Sequence, residues 1–171
     1  MEIQSQLPII GSTEFVEIAG IKKIPAKIDT GADTSAIWAS SINMDENGNL
    51  SFVLFDQSSP LYTGERITTL DYCIKKVRSS HGDQQIRYRV KLPIEIGEKT
   101  FETTFTLANR SRNNFPVLIG RHTLDGNFLV DVSKSAIERP KNPGIIRLNQ
   151  ELEKNPYEFH KKYFKEGELW D

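Results

Sequence analysis

Apolar and polar residues alternate with a period of two along much of this chain. The clearest case is residues 86–92, where Ile86, Tyr88, Val90 and Leu92 fall on one side and Arg87, Arg89 and Lys91 on the other. That pattern predicts a strand with one buried and one wet face. Ser79-Ser80-His81-Gly82-Asp83 just before it reads as a turn, so Lys75 to Arg89 is expected to form a long hairpin with a flexible tip. Ile94–Ile96 and Phe101–Leu107, around Gly97-Glu98-Lys99, predict a second hairpin, with Phe101, Thr103, Phe105 and Leu107 on one face. Earlier, Phe15–Ile18 and Ile24–Ile28 read as strands joined around Ala19-Gly20. Thr34–Ser41 is short and mixed, a turn or part of a strand, and Leu50–Phe55 returns after the Asn47-Gly48 hairpin signal. Phe115–Arg121 reads as a buried strand ending in Gly120, His122–Asn127 as one helical turn, and Phe128–Asp131 as a last strand. Many short strands separated by turns predict an all-β fold that closes or folds over itself.

The tail follows another rule. Asn155, Pro156 and Glu158 have the order of a helix cap, a first-turn proline and a capping-box acid. Tyr157, His160 and Phe164 then recur at helical spacing, and Gly167 can end the helix. Arg139-Pro140-Lys141-Asn142-Pro143-Gly144 reads as a linker. The expected division is a domain over residues 8–138, then a linker and C-terminal helix over 139–171.

Composition narrows the function classes. With 171 residues, 37% hydrophobic and 26% charged, the chain has room for a core and the make-up of an ordinary globular protein. A net charge of −1 gives no electrostatic case for nucleic acid or membrane. No apolar run is long enough to span a bilayer, and the first residues lack the basic and apolar regions of a signal peptide, so a cytoplasmic location is expected. Cys73 is the single cysteine, which excludes an internal disulfide; its apolar neighbours favour a core position over a nucleophile. Charge is unevenly placed: Asp29 to Tyr72 holds seven acids and one base, whereas Lys75 to Lys91 holds six bases and one acid. The second stretch is either a solvated strand face or a positive surface that meets an acidic substrate.

One stretch carries chemistry. The apolar run Ile24-Pro25-Ala26-Lys27-Ile28 leads into Asp29-Thr30-Gly31-Ala32-Asp33-Thr34-Ser35, an acid at a strand end followed by a glycine turn and small hydroxylated residues. Val117-Leu118-Ile119-Gly120-Arg121 follows later, its glycine 91 positions after Asp29. Together these resemble the retropepsin-like aspartic peptidases, in which two hydrophobic residues and a glycine cross beneath an Asp-Thr-Gly loop. The resemblance covers roughly residues 15–132 and implies a retropepsin-like closed barrel, here with a C-terminal helical extension. It is closest to a bacterial family long labelled ATP-dependent zinc proteases, which is associated with ATP-grasp ligases that add glutamate to protein tails. Val77-Arg78-Ser79-Ser80-His81-Gly82, Leu107-Ala108-Asn109-Arg110 and Phe128-Leu129-Val130-Asp131 also match that family. The zinc of the label finds no support, because His-Glu-x-x-His is absent and His81, His122 and His160 are far apart in sequence. A phosphate-binding Gly-rich loop is absent too, and no cofactor is expected.

Amide hydrolysis by aspartates needs two carboxyls sharing a proton, and this chain has one Asp-Thr-Gly string. A two-fold homodimer would supply the second Asp29. The resemblance implies the same, with Thr30 bonding across the axis and Gly31 allowing close approach. Asp29, Thr30 and Gly31 are thus the catalytic candidates, and Ala32, Asp33, Arg78, His81 and Arg121 the substrate-binding ones. Asp33 and Arg121 are expected to approach each other beneath the site. The basic hairpin is placed like a retropepsin flap, where Arg78, His81, Arg87 or Arg89 could select a substrate rich in Asp or Glu. Trp38 is read as core rather than cleft wall, and Ser35 lacks a histidine partner for serine-hydrolase chemistry. The leading reading is an aspartic endopeptidase acting as a homodimer on acidic peptides or glutamate-extended proteins, with a link to an ATP-grasp glutamate ligase system. Rival readings are a non-catalytic module that binds acidic peptides or a partner protein, and a metal-dependent hydrolase.

Overall fold

A computed structural model describes residues 7–78, 84–138 and 143–164. The chain divides into two compact units, Met1–Ile137 and Glu138–Asp171. The first carries the strands β1 (Ile9–Ile10), β2 (Thr13–Ile18), β3 (Ile21–Ile28), β4 (Ser35–Met44), β5 (Leu50–Leu54), β6 (Arg66–Thr69), β7 (Tyr72–Arg78), β8 (Gln84–Ile96), β9 (Lys99–Ala108), β10 (Val117–Ile119) and β11 (Leu129–Val130). One helical turn, α1 (Arg121–Leu124), follows β10.

The sheet runs β10-β3-β2-β8-β9-β4, and β4 pairs back onto β10, which closes a barrel of six strands. Closure removes the exposed sheet edges that an open sheet of this length would leave. Alternate residues fill the interior: Ile18, Ile24, Ile37, Ile94, Ile96, Phe105 and Ile119 are fully buried. The all-β retropepsin-like barrel expected from the sequence is therefore what the chain forms. β5 and β6 extend from β4 outside the ring, while β7 pairs with β8 to make the basic hairpin.

Several strands differ from the sequence reading. The stretch read as short and mixed is the ten-residue β4, whose first half is buried and whose last four residues are exposed. Its register against β5 shifts between Ser40 and Asn43, and Ser41 has φ of 49°. That irregularity breaks the period of two on which recognition of a strand depends. Residues 84–96 form one continuous strand rather than two, because Pro93 lies within it. β6, with alternately exposed and half-buried residues, was not anticipated. Cys73, expected in the core, is exposed, since it lies on the opposite face of β7 from Tyr72.

The second unit contains α2 (Pro143–Lys154) and α3 (Pro156–Tyr163). α3 is capped as expected, with the Asn155 side chain accepting the Glu158 amide at 3.2 Å. α2 was not anticipated, and Pro143 and Gly144 belong to its first turn instead of a linker. The apolar face of α3 is also shifted: Tyr157 is 73% exposed, whereas Phe159 and Tyr163 meet with tilted rings at 4.7 Å and His160 and Phe164 stack at 4.6 Å. Glu151 of α2 ties the pair, accepting from Lys162 at 2.6 Å and from the Tyr163 hydroxyl at 2.9 Å. No helix among the described residues is long and apolar enough to cross a membrane.

Candidate active site

The site is built where β3 ends. β10 lies parallel to β3, with Ile119 opposite Ile28, and the ladder continues one step as the Asp29 amide donates to the Ile119 carbonyl at 2.9 Å. Asp29 is thereby held as an extension of a buried strand while its side chain is half-buried at the surface of the subunit. The loop turns sharply. The Gly31 amide donates to Asp29 Oδ1 at 3.1 Å and the Ala32 amide to the Asp29 carbonyl at 3.2 Å. A carboxylate fixed by a backbone donor presents its second oxygen in a defined direction. Thr30 and Gly31 are exposed, and Ala32 is half-buried.

Beneath this loop the chain crosses at Gly120. A Cβ there would lie 2.6 Å from the Thr34 carbonyl carbon, 2.7 Å from its oxygen and 2.9 Å from the Ala32 oxygen. All three are backbone atoms, so only glycine fits the crossing. The first turn of α1 then answers the loop: the Arg121 amide donates to the Ala32 carbonyl at 2.8 Å and the His122 amide to that of Asp33 at 3.1 Å. Amides that a helix start leaves unpaired thus take up carbonyls that the loop leaves unpaired.

Three hydroxyls lock the crossing from inside. Ser35, 1% exposed, accepts the Gly120 amide at 3.0 Å and lies 2.6 Å from Thr123 Oγ1, itself 2.9 Å from Thr103 Oγ1. Because Gly120 N–H must donate, full satisfaction requires Ser35 to donate to Thr123 and Thr123 to donate to Thr103. Ser35 therefore has a structural partner set, consistent with its lack of a catalytic histidine.

The expected approach of Asp33 and Arg121 is observed, as an ion pair with both side chains more than half exposed. The hydrogen bond from Arg121, then its charge, holds the Asp33 carboxyl below the ordinary carboxylate range; His122 and Lys75 add to this. Lys75, on β7, also donates to Thr34 Oγ1 at 3.4 Å, which brings the basic hairpin to the edge of the aspartate loop. Arg78 ends β7 opposite Gln84, and His81 lies outside the described residues. Trp38 is buried, edge-on to Phe55 at 6.1 Å, as a core residue.

One residue by the loop was missed as a candidate. Arg110 lies between β9 and β10, and its Nε donates to the Phe115 carbonyl at 3.0 Å. Burial, and then the neighbouring charge of Arg87, lower its pKa, while Asp29 opposes that shift. Arg110 thus lies within electrostatic range of both the aspartate and the hairpin. In the sequence it stood inside a matching Leu-Ala-Asn-Arg segment, which was the available signal. Among the described residues no group of three or more His, Cys, Asp or Glu is arranged to hold a metal ion.

Comparison with known proteins places these features in context. Residues 9–141 match a family model described as RimB-like, retropepsin-like aspartic endopeptidase RimB. A Shewanella pealeana protein named "Probable alpha-L-glutamate ligase" is 32% identical over 135 residues, 74% of this chain and 29% of that protein. A Desulfotalea psychrophila protein of the same name is 30% identical over 131 residues, 72% of this chain and 28% of its own length. The chain therefore spans less than a third of the curated relatives it matches. A crystal structure of a Legionella pneumophila protein of unknown function superposes with a TM-score of 0.57 at 26% identity, covering 75% of this chain and 95% of that one.

Proposed function

We propose that this chain, which belongs to the RimB-like family of retropepsin-like proteins, is an aspartic endopeptidase whose working form is a homodimer. The observation that carries this reading is the Asp29 carboxylate at the end of a buried strand, fixed by the Gly31 amide and half-open to the surface beside an exposed Thr30. One chain offers one such loop. A two-fold axis passing beside Thr30 would bring two Asp29 side chains face to face and let each Thr30 hydroxyl brace the partner's backbone.

Two carboxyls about 3 Å apart cannot both ionise, so the pair holds one proton between them and titrates as a unit. The ionised member takes a proton from water as the water attacks the scissile carbonyl. The protonated member donates to the carbonyl oxygen as charge develops there. Proton transfer to the amide nitrogen then releases the new amino terminus. Ala32, Asp33 and Arg121 border the loop and would line the peptide's path, with the ion pair holding Asp33 ionised.

The substrate class in this reading is an acidic peptide, including glutamate-extended protein tails. Its support is the basic hairpin at the edge of the loop and the likeness to proteins named as glutamate ligases. A ligase that adds glutamate makes the kind of tail that such a peptidase would trim, so a glutamate ligase system is the proposed partner.

The test combines mass spectrometry and sedimentation. Wild-type protein incubated with oligoglutamate-extended protein between about pH 4 and 8 should yield new termini, a window spanning the carboxylate and neutral ranges. Asp29→Asn should lose turnover at least about a hundredfold while keeping fold and dimer. Undiminished turnover by that variant, or cleavage by a strict monomer, would end the proposal.

A further inference from the structure

The hairpin and the loops around Asp29 gather positive charge that is only partly paired among the described residues. Register shows how. On the sheet face opposite the core, Ala36 of β4 pairs with Thr106 of β9, and Thr106 pairs with Arg89 of β8. Cross-strand partners project to the same side, so these residues form one row. The intervening residues Ile37, Phe105 and Val90 point into the core. Two residues along β8 from Arg89 stands Arg87, directly opposite Lys75. Arg110, two residues past the end of β9, lies within electrostatic reach of Arg87.

Two features of this row leave it short of polar partners. First, the side-chain nitrogen Arg89 Nε and the oxygen Thr106 Oγ1 are buried, adjacent in register, and without a hydrogen-bond partner among the described residues. Buried polar atoms are left unpaired at a cost that a native fold rarely accepts without a functional reason. Second, among the described residues no carboxylate forms an ion pair with Arg87, Arg89 or Arg110, although Lys91 and Arg121 nearby are both paired. Arg110 is half-buried, so its charge is only partly screened, and Arg87 repels it. An incoming carboxylate relieves both penalties at once. Guanidinium groups suit that task because each can hold a carboxylate with two parallel bonds.

We propose that Arg87, Arg89 and Arg110 form a carboxylate-binding subsite that seats an acidic side chain of the peptide beside Asp29. This rests on the peptidase reading above and adds which residues read the substrate. Arg110 is its anchor, because the Phe115 carbonyl fixes its Nε while its terminal nitrogens make no ion pair among the described residues. Arg89 lies deeper, and Arg87 closes the subsite from the hairpin.

Binding tests this separately from catalysis. The full chain carrying Asp29→Asn is titrated with hexaglutamate and with hexaglutamine by calorimetry, then again with Arg110→Gln or Arg87→Gln added. The parent should prefer hexaglutamate by about tenfold or more, and each added substitution should reduce that preference about tenfold. Arg110→Lys should restore part of it, and salt should weaken it. Circular dichroism checks the fold, and the two arginine variants, one on a loop and one on a strand, guard against loss of either. Equal binding of the two peptides by the parent, or a preference untouched by both substitutions, overturns the subsite. Absence of cleavage by wild type alongside arginine-dependent hexaglutamate binding would instead overturn the peptidase reading and leave the subsite standing.

Discussion

Ser35→Ala is the most informative single change, because it cuts the hydroxyl chain at the point where it meets the crossing. In the wild type the Gly120 amide donates to Ser35 Oγ at 3.0 Å, and Ser35, Thr123 and Thr103 pass hydrogen bonds outward at 2.6 and 2.9 Å. Alanine leaves the Gly120 amide without an acceptor in a site where Ser35 is 1% exposed. An orphaned buried donor costs about 1–3 kcal/mol, and the small cavity left by one oxygen adds little. Thr123 keeps its bond to Thr103, so the loss stops there. The expected destabilisation is about 2 kcal/mol, which lowers a urea midpoint by about 1 M with an unchanged slope. Thr123→Val interrupts the same chain one link further out and should cost about 1 kcal/mol. The double variant should be less destabilised than the sum by about 1 kcal/mol, since the Ser35–Thr123 bond can be lost only once. Amide exchange at Gly120 should accelerate in Ser35→Ala and much less in Thr123→Val. A Ser35→Ala cost below about 0.5 kcal/mol, or strictly additive effects, would refute the relay and the role given to it in holding the aspartate loop.

Other outcomes follow from the same geometry. Gly120→Ala forces a Cβ to within 2.6–2.9 Å of three backbone atoms, and should destabilise by about 3 kcal/mol, seen as a melting point about 10 °C lower. Gly31→Ala places its Cβ 3.4 Å from Asp29 Oδ1, an ordinary contact, so its melting point should stay within a few degrees of wild type; comparable losses at both glycines would contradict the packing argument. For Asp33, the folded pKa is depressed by Arg121, so the pair's stabilisation is fully present above the unfolded carboxylate value and is lost as pH falls through the lower folded value. Arg121→Gln should therefore flatten the acid limb of the stability curve, measured by urea midpoints from neutral to acid pH. An unchanged acid limb would show that the pair is not what depresses Asp33.

The barrel was legible because its defining elements obey simple rules. β8 alternates in sequence from Ile86 to Leu92, although the expected buried face is realised only at Val90 and Leu92 while Ile86 is exposed on the hairpin, and the aspartate loop and the Leu-Ile-Gly-Arg crossing carry their motifs without interruption. β4 was obscured because both its faces are covered over the first half, where Ile37, Trp38 and Ala39 are all buried in succession. A strand buried on both faces loses its alternation, and the shift near Ser41 removes what remains. α2 was missed for a different reason. Its proline and glycine, read as breakers, sit in the first helical turn, where proline is tolerated because its missing amide would have no partner in any case.

The candidate site divides along the same line. Asp29, Asp33 and Arg121 were readable because each belongs to a motif with a fixed local geometry, and their meeting needs only the parallel pairing of β3 with β10. The cation row is a product of register. Lys75, Arg87 and Arg89 are near in sequence, but whether they face the loop or the solvent depends on which residue of β9 stands opposite Arg89, and a slip of one position would turn all three to the other face. Arg110 depends on a further step, the course of the chain after β9, whose last residue Ala108 stands opposite Trp38 of β4. The contrast between the two halves of the site is also energetic. Backbone bonds to the Ala32 and Asp33 carbonyls and the buried Ser35 hydroxyl hold the aspartate loop from below. Arg87, Arg89 and Arg110 form no ion pair among the described residues, and Arg110 feels the charge of Asp29 itself. A scaffold saturated beneath and less saturated above concentrates electrostatic demand where the proposed peptide would lie, and that is the reason the binding test above compares an acidic with a neutral chain.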